Sequence, residues 1–251
     1  MIRSLAVLSD VHGVDPALRA VLDEPDVRAA DLVVVTGDHA SGPQPTEVLE
    51  RLVALGERCL LVRGNADREL VALARGEMVP GDLPDVDHWA AAQLGAHHVD
   101  LLAALPHPIT LEVEGVGPVL CCHGSPRDDD EVLLVQSPVG TWADALAGVP
   151  DEVWTVTCGH THMPFVRRVD RRTVLNPGSV GMPYGSPLAS WALVTADGVQ
   201  LRHADVDPDA VADEVVARST FPGREEWAET YLRRPPSDRE AVEAFEPRVA
   251  R

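Results

Sequence analysis

The sequence lacks the features that mark several large classes of protein. No run of apolar residues reaches the roughly 20 residues that a membrane-spanning helix needs. Basic residues are few, because 21 Lys and Arg stand against 40 Asp and Glu, and the formal charge at pH 7 is −19. Such a charge repels polyanions over most of the surface. We therefore expect neither a membrane partner nor extended binding to nucleic acid.

Cysteines and aromatic residues are also scarce. The four cysteines lie in apolar runs and form no CxxC pair, which predicts reduced thiols in the core. Aromatic residues make up 4% of the chain, and its scattered tryptophans offer no stacking ladder for single-stranded nucleic acid. The first predicted strand begins at Ile2, which leaves no room for a signal sequence and predicts a cytoplasmic location.

The length of 251 residues suits one sizeable α/β domain. We expect the main α/β domain over residues 1–207 and a helical extension over residues 208–251 that packs on the same domain. Strand and helix patterns alternate over residues 2–65, which predicts a parallel sheet. A hairpin turned at residues 114–117 and strands of antiparallel character over residues 173–206 make the predicted sheet structure mixed.

The segment from Arg68 to His107 has a different pattern. It is helical and polar, with breaks near Pro80 to Pro84, and we expect it to lie over or beside the functional site.

Five short polar signatures carry the functional prediction, because each follows an apolar run directly. They are Asp10-Val11-His12, Gly37-Asp38, Gly64-Asn65, His123-Gly124 and Gly159-His160-Thr161-His162. Loops at the carboxyl ends of buried strands gather residues from distant parts of a chain at one edge of a sheet. We therefore expect these side chains to converge.

The residue types in these signatures are metal ligands. Two Asp, one Asn and four His suit a pair of divalent cations that accept both oxygen and imidazole, such as Mn, Fe, Zn, Ni or Co. We favour Mn. Two such ions carry +4 against −2 from Asp10 and Asp38, and the surplus would attract a small phosphorylated substrate.

The order D-x-H, G-D, G-N-x-D, H-G and G-H-T-H resembles the calcineurin-like metallophosphoesterase family over about residues 1–200. The segments SDVHG, CCHGSP and CGHTHMPF resemble a branch of small bacterial and archaeal single-domain phosphodiesterases, some of which cleave dinucleoside polyphosphates. The resemblance implies a four-layer α/β/β/α sandwich with mixed sheets. It also implies in-line attack by a hydroxide that bridges two metal ions.

Carried over position by position, the resemblance assigns a role to each ligand. Asp10, His12 and His162 would hold the first metal, and Asn65, His123 and His160 would hold the second. Asp38 would bridge the two ions. Asp38 and Asn65 are therefore also predicted to act in catalysis.

One position departs from the family pattern. Many relatives place His directly after the Asn of G-N-x-D, where it can protonate the leaving group, but this chain has Ala66. General acid catalysis typically contributes roughly a hundredfold or more, so its loss favours substrates with good leaving groups. His39 is the nearest substitute in sequence and is kept as a catalytic candidate, although its position after Asp38 points it away from the metals and favours packing.

Three further residues are predicted to bind substrate. His97 and His98 lie in a helical patch, where a cap over the pocket would bring one of them to a phosphate, and Asn176 lies in a loop that the resemblance places beside the site.

The sequence leaves several alternatives open. The favoured substrates are dinucleoside polyphosphates, cyclic nucleotides or aryl phosphodiesters. The rivals are a phosphomonoesterase and a non-catalytic scaffold of the same fold, like the related subunit of retromer. The formation of homo-oligomers is also left open.

Overall fold

The computed structural model describes residues 1–77 and 83–249, and its first sheet contains five strands in the order β10-β9-β1-β2-β3. Strands β1, β2 and β3 run parallel, as predicted, while β9 is antiparallel to β1 and β10 is antiparallel to β9. The bounds of these strands are β1 Ser4–Leu8, β2 Leu32–Val35, β3 Cys59–Leu61, β9 Ala189–Thr195 and β10 Gly198–Ala204.

The second sheet also has five strands, in the order β4-β5-β6-β8-β7. Here β5, β6 and β8 run parallel, and the edge strands β4 and β7 are antiparallel to their neighbours. The bounds are β4 Ile109–Val113, β5 Gly117–Cys121, β6 Thr155–Thr157, β7 Phe165–Val169 and β8 Arg172–Asn176.

Alternating side chains explain why the two sheets stack. In β1, Leu5 and Val7 join a core cluster with Val119 and Leu175 of the second sheet, whereas Ala6 and Leu8 join a different cluster on the opposite face. Successive residues of a strand point to opposite faces, so a wholly apolar strand is buried on both sides.

Helices cover the outer faces of both sheets. The outer face of the first sheet packs against α1, α3 and α8, and that of the second packs against Trp142 and Ala145 of α7. The predicted four-layer α/β/β/α sandwich with mixed sheets is therefore confirmed. The helices are α1 Asp15–Asp23, α2 Pro25–Ala29, α3 Pro45–Ala54, α4 Asn65–Ala74, α5 Asp85–Gln93, α6 Ala96–Ala103, α7 Val139–Ala145, α8 Pro208–Arg218, α9 Arg224–Ala228 and α10 Asp238–Phe245.

The predicted strand pattern was wrong in one region. The segment that contains Asn176 forms β8, which lies parallel to β6 in the second sheet rather than antiparallel to the strands that follow it. The sequence prediction overlooked β7, whose antiparallel pairing with β8 supplies the edge of this sheet. Of the predicted breaks near Pro80 to Pro84, Pro84 precedes α5 and residues 78–82 lie outside the described residues.

The C-terminal residues pack on the rest of the chain at two places. Arg19 of α1 forms a 2.6 Å ion pair with Glu214 of α8, and Val249 forms an isolated parallel bridge with Val132. In the part of the chain that the structure describes, no helix has the length and apolarity to cross a bilayer.

Candidate metal centre

All five polar signatures lie just beyond the carboxyl ends of strands, at the edge where the two sheets meet. Asp10 follows β1, Asp38 follows β2 and Asn65 follows β3, while His123 follows β5 and His160 follows β6. Six of the seven predicted ligands are buried, and Asn65 is half-buried. The structure therefore brings together every side chain that was predicted to bind metal.

Asp10, His12 and His162 form one group that could hold a metal ion. The Nε2 atoms of His12 and His162 are 3.0 Å apart, and Oδ1 of Asp10 lies 3.3 Å from Nε2 of His162. Ligand atoms at right angles around one ion, with metal–nitrogen bonds of about 2.1 Å, are separated by about 3.0 Å. The spacing of the two imidazoles therefore fits a shared ion.

Asp38, His123 and His160 form a second such group. Oδ2 of Asp38 lies 3.2 Å from Nε2 of His123 and 3.7 Å from Nε2 of His12, which belongs to the first group. Oδ1 of Asn65 lies 3.2 Å from Nε2 of His123. One carboxylate oxygen of Asp38 is thus placed between the two groups.

Backbone carbonyls orient three of the histidine rings. Nδ1 of His12 is 3.0 Å from the carbonyl of Ser41, Nδ1 of His123 is 2.6 Å from that of Thr36, and Nδ1 of His162 is 2.8 Å from that of Met182. Only a protonated nitrogen can donate to a carbonyl, so in the neutral form of each ring the proton lies on Nδ1 and the lone pair of Nε2 is aimed into the centre. This is the tautomer that metal binding requires.

Two atoms of the centre lack the partners that burial demands. Among the described residues, Oδ1 of Asp10 and Nε2 of His160 are buried without a hydrogen-bond partner. A buried polar atom without a partner costs about 1–3 kcal/mol, and more when it is charged. For Asp10, whose Oδ1 faces the ligand nitrogens, a bound cation would remove that cost, so the donor set fits the predicted ions.

Burial and neighbouring charges shift the pKa values of several groups in the centre. Burial would raise the pKa of Asp38, but His123, together with His12 and His160, outweighs burial and holds that pKa well below its usual range. Burial would lower the pKa of His123, but Asp38 raises it to about 10. Burial lowers the pKa of His160 to about 3, which keeps that imidazole neutral.

Five of the seven predicted ligands adopt left-handed backbone conformations. The φ angles are 54° for Asp10, 46° for His12, 55° for Asp38, 68° for His160 and 57° for His162. Such conformations are uncommon outside glycine and concentrate at functional sites, where the surrounding structure must stabilise them. They turn each loop sharply and aim its side chain inward.

Asp67 stabilises two of the signature loops. Its carboxylate accepts hydrogen bonds from the backbone N–H groups of Gly64, Asp38 and His39 at 2.9–3.0 Å, and it lies 2.8 Å from Nδ1 of His39. Asp67 therefore orients the loops that carry Asp38 and Asn65.

Asn176 has a similar positioning role. Its amide nitrogen donates to the carbonyl of Gly159 at 2.6 Å and to Oγ1 of Thr161 at 3.1 Å, so the side chain supports the loop that carries His160 and His162. It is fully buried, and its polar atoms are engaged by the protein rather than presented to a substrate.

Three predicted site histidines do not line the cleft that opens onto the centre. They are His39, His97 and His98. His39 is fully buried against Asp67. His98 is buried at the start of α6, where its Nδ1 accepts a hydrogen bond from the backbone of Gly95, and the His97 ring contacts it at 3.8 Å. The structure thus gives no cleft contact to support the predicted catalytic role of His39 or the substrate-binding roles of His97 and His98.

A cleft with a cavity volume of about 700 Å³ opens onto the centre. Residues of α4 and α5 line one side of it, which confirms the expectation that the segment after Arg68 lies beside the site. Two carboxyl groups on this side of the cleft were not predicted from the sequence. Burial raises the pKa of Glu69 to about 7 and that of Asp87 to about 6. The spacing of Glu69, four residues after Asn65 on the same helix face, is the signal that could have revealed it.

The raised pKa of Asp87 predicts a pH-dependent stability. The folded protein binds this proton more tightly than the unfolded chain, so the associated stability is complete below pH 3.8 and is lost as the pH rises through about 6. We expect Asp87→Asn to be roughly 2–3 kcal/mol more stable than wild type near pH 8 and within about 1 kcal/mol near pH 4. Urea unfolding of the chelator-treated proteins measures this, and parallel pH profiles would contradict it.

The fold and the centre together define a phosphoesterase of known architecture. Residues 4–198, well over half of the chain, match the calcineurin-like phosphoesterase superfamily domain. The chain therefore belongs to the calcineurin-like phosphoesterase superfamily, whose members are metal-dependent enzymes that hydrolyse phosphoesters. The family predicted from the sequence is confirmed.

Individual relatives agree with this assignment. The chain is 25% identical to phosphodiesterase YfcE of Escherichia coli over 202 residues, which cover 77% of this chain and 88% of that protein. It is 33% identical to the symmetrical bis(5'-nucleosyl)-tetraphosphatase of Bordetella parapertussis over 107 residues, 41% of this chain and 38% of that protein. A crystal structure of a metallophosphoesterase from Sphaerobacter thermophilus superposes with a TM-score of 0.72 at 25% identity, covering 92% of this chain and 98% of the other.

Proposed function

We propose that this protein hydrolyses phosphodiester or phosphoanhydride bonds of small substrates and that it requires two divalent cations. The observation that carries the proposal is the position of Asp38, whose Oδ2 lies within 3.7 Å of a histidine from each of the two ligand groups. A carboxylate between two such groups is the arrangement that a pair of neighbouring ions requires.

Each residue of the centre has a role in this proposal. Asp10, His12 and His162 would hold one ion, Asn65, His123 and His160 would hold the other, and Asp38 would contact both. When bound, two divalent cations acidify water and neutralise the negative charge of a phosphoryl group. Asn65 contributes a neutral oxygen, so the ligand set leaves a net positive charge that attracts a phosphate.

The surroundings of the centre favour substrates with a good leaving group. Ala66 lines the cleft at the position where many relatives carry a histidine that acts as general acid. Without that proton donor, a leaving group of low pKa departs more readily than an alkoxide. Aryl phosphodiesters and the phosphoanhydrides of dinucleoside polyphosphates meet this condition, and cyclic nucleotides remain in the proposed substrate set.

The relatives support the two bond types in the proposal. One of those described above is named as a phosphodiesterase and the other as a bis(5'-nucleosyl)-tetraphosphatase. Mn is the favoured metal because the centre offers imidazole, carboxylate and amide ligands together. The cytoplasmic location and any homo-oligomer stay predictions from the sequence.

Metal removal tests the proposal directly. We expect the purified chain, stripped with a chelator and dialysed, to release no nitrophenol from bis-p-nitrophenyl phosphate, and added Mn to restore the activity. Zn, Ni, Co and Fe in parallel identify the preferred ion, and Mg serves as a harder cation for comparison. Lack of activity with every ion would overturn the proposal and favour a non-catalytic scaffold.

A second substrate separates the two classes of esterase. p-Nitrophenyl phosphate has the same leaving group but only one ester bond, so it reports phosphomonoesterase activity. We expect a lower kcat/KM for this monoester than for the diester. A preference for the monoester would replace the proposed diesterase with its rival.

A further inference from the structure

Two aromatic rings lie directly beside the histidines of the centre. The Tyr184 ring stacks on His162 with centroids 4.9 Å apart, and the Phe245 ring contacts His160 edge-on at 5.8 Å. The two rings also approach each other, at 6.4 Å between centroids. Both are partly exposed and line the cleft, so an aromatic surface begins where the predicted metal site ends.

This aromatic surface is unusual for a chain so poor in aromatic residues. The sequence has only 2 Tyr and 3 Phe, yet both tyrosines and two of the phenylalanines line this one cleft. Trp227 lines it as well. Apart from Tyr184, all of these rings come from residues 208–249, beyond the matched family domain that ends at residue 198. The C-terminal extension therefore supplies most of one wall.

Contacts at both ends hold this wall in place. The backbone N–H of Gly185 donates to the carbonyl of Pro236 at 3.0 Å, which joins the Tyr184 loop to the segment before α10. At the other end, Val249 pairs with Val132. A surface fixed before the ligand arrives loses less conformational entropy on binding.

Arg248 adds one positive charge to the wall. Its guanidinium lies 5.7 Å from the centroid of the Phe245 ring and bonds to Asp130 at 2.6 Å. The side chain is about half exposed, and of its five N–H donors the carboxylate of Asp130 uses a minority. Because Arg248 lines the cleft, its remaining donors could bind a phosphate oxygen.

The rest of the cleft argues against a long polyanion as the favoured ligand. Glu69, Asp87 and Glu226 line it, and Arg248 is the one Lys or Arg among the described lining residues. A ligand that fits must combine a flat, uncharged aromatic group with few phosphate charges. Nucleosides joined to phosphate through an ester have this composition.

We propose that the C-terminal extension forms a nucleoside subsite, in which the base packs on Phe245 and Tyr184 and Arg248 binds a phosphate oxygen of the same nucleotide. The inference rests on the proposed function and narrows it to substrates that carry a nucleoside. Stacking on aromatic rings tolerates any base, so the subsite selects nucleosides as a class.

Two ligands that differ only in the base test the subsite. Isothermal titration calorimetry of the Mn-loaded 251-residue chain compares adenosine 5'-monophosphate with ribose 5-phosphate. We expect the nucleotide to bind on the order of tenfold more tightly, because one stacked base contributes about that factor. Equal affinities in the wild-type protein would overturn the inference.

Variants of Phe245 test whether its ring produces the preference for the nucleotide over ribose 5-phosphate. Phe245→Leu keeps an apolar side chain without a ring, and we expect it to remove most of the preference while the affinity for ribose 5-phosphate changes by less than about twofold. Phe245→Tyr restores a ring and should restore the preference, which separates the loss of stacking from a folding defect. Trp154→Leu, at an exposed tryptophan outside the cleft, is the matched control and should change nothing. A preference that survives Phe245→Leu would overturn the assignment.

Arg248 has its own expected result. Arg248→Gln should weaken both ligands by a similar factor, because both carry the phosphate. If it weakens neither, the proposed phosphate contact is overturned.

The calorimetry tests the nucleoside subsite and the hydrolysis assay tests the proposed function, so either proposal can be overturned without the other. Base-dependent binding without hydrolysis of bis-p-nitrophenyl phosphate would overturn the proposed function and leave the subsite standing. Hydrolysis without any preference for the base would overturn the subsite alone.

Discussion

Asp38→Ala is expected to lower kcat/KM for bis-p-nitrophenyl phosphate by about a thousandfold or more. The carboxylate lies between the two histidine groups, so its removal deprives both proposed ions of a ligand and removes the negative charge beside Nε2 of His12 and of His123. Paired cations contribute several kcal/mol to transition-state stabilisation, and each 1.4 kcal/mol is about tenfold in rate. Steady-state kinetics in saturating Mn measures the effect.

His39→Ala is the matched control, because His39 is the adjacent residue and is also fully buried. It contacts Asp67 rather than the cleft, so the variant should be less stable but should lose no more than about tenfold in kcat/KM. Circular dichroism at the assay temperature confirms that each variant is folded. Equal losses in the two variants would mean that His39 acts in catalysis after all.

Asp67→Ala is expected to lower the free energy of unfolding by about 3–5 kcal/mol. The substitution leaves the backbone N–H groups of Gly64, Asp38 and His39 without their acceptor inside the protein, and buried donors without partners are costly. Because these donors belong to the loops that carry Asp38 and Asn65, the metal affinity should fall as well.

Urea unfolding with and without Mn measures both effects. Asp151→Asn is the control, because the Asp151 side chain is fully exposed and surface substitutions of this kind change stability by about 0.5 kcal/mol or less. A loss below about 1 kcal/mol in Asp67→Ala would show that the loops hold their conformations without this carboxylate.

The convergence of the ligands could be predicted because it follows from strand order. Each signature is a short polar segment that follows an apolar run. The carboxyl ends of parallel strands in one sheet lie at the same edge of that sheet. Asp10, Asp38 and Asn65 follow three adjacent parallel strands of the first sheet, and His123 and His160 follow two adjacent parallel strands of the second. The pattern of residues was sufficient to identify these positions.

The backbone conformations at the site could not be predicted in this way. Positive φ is uncommon for any residue other than glycine, yet Asp10, Asp38 and His160 adopt it. Contacts between loops stabilise these conformations, such as the hydrogen bond from the His160 N–H to Oδ2 of Asp10. An interaction between residues 150 positions apart cannot be recognised from the residues that neighbour either one in the sequence.

The positions of the predicted substrate residues, which lie outside the lining of the cleft, could not be predicted for a related reason. A pair of polar histidines in a helix does not reveal which way the helix faces, and His97 and His98 lie at the start of α6, where His98 accepts a backbone hydrogen bond. Conversely, Phe245 and Arg248 belong to the extension over residues 208–251, which the sequence predicted to be helical and packed on the domain but not to line the site. Their place beside His160 depends on long-range contacts of the extension with residues 130–132.

The central claim is that seven side chains hold two ions, and anomalous diffraction from crystals soaked in Mn tests it most directly. We predict two peaks per chain, about 3.5–4 Å apart. One should lie within bonding distance of Asp10, His12 and His162, the other within bonding distance of Asn65, His123 and His160, and Asp38 should reach both. A single peak, or saturating Mn that binds elsewhere, would contradict the account.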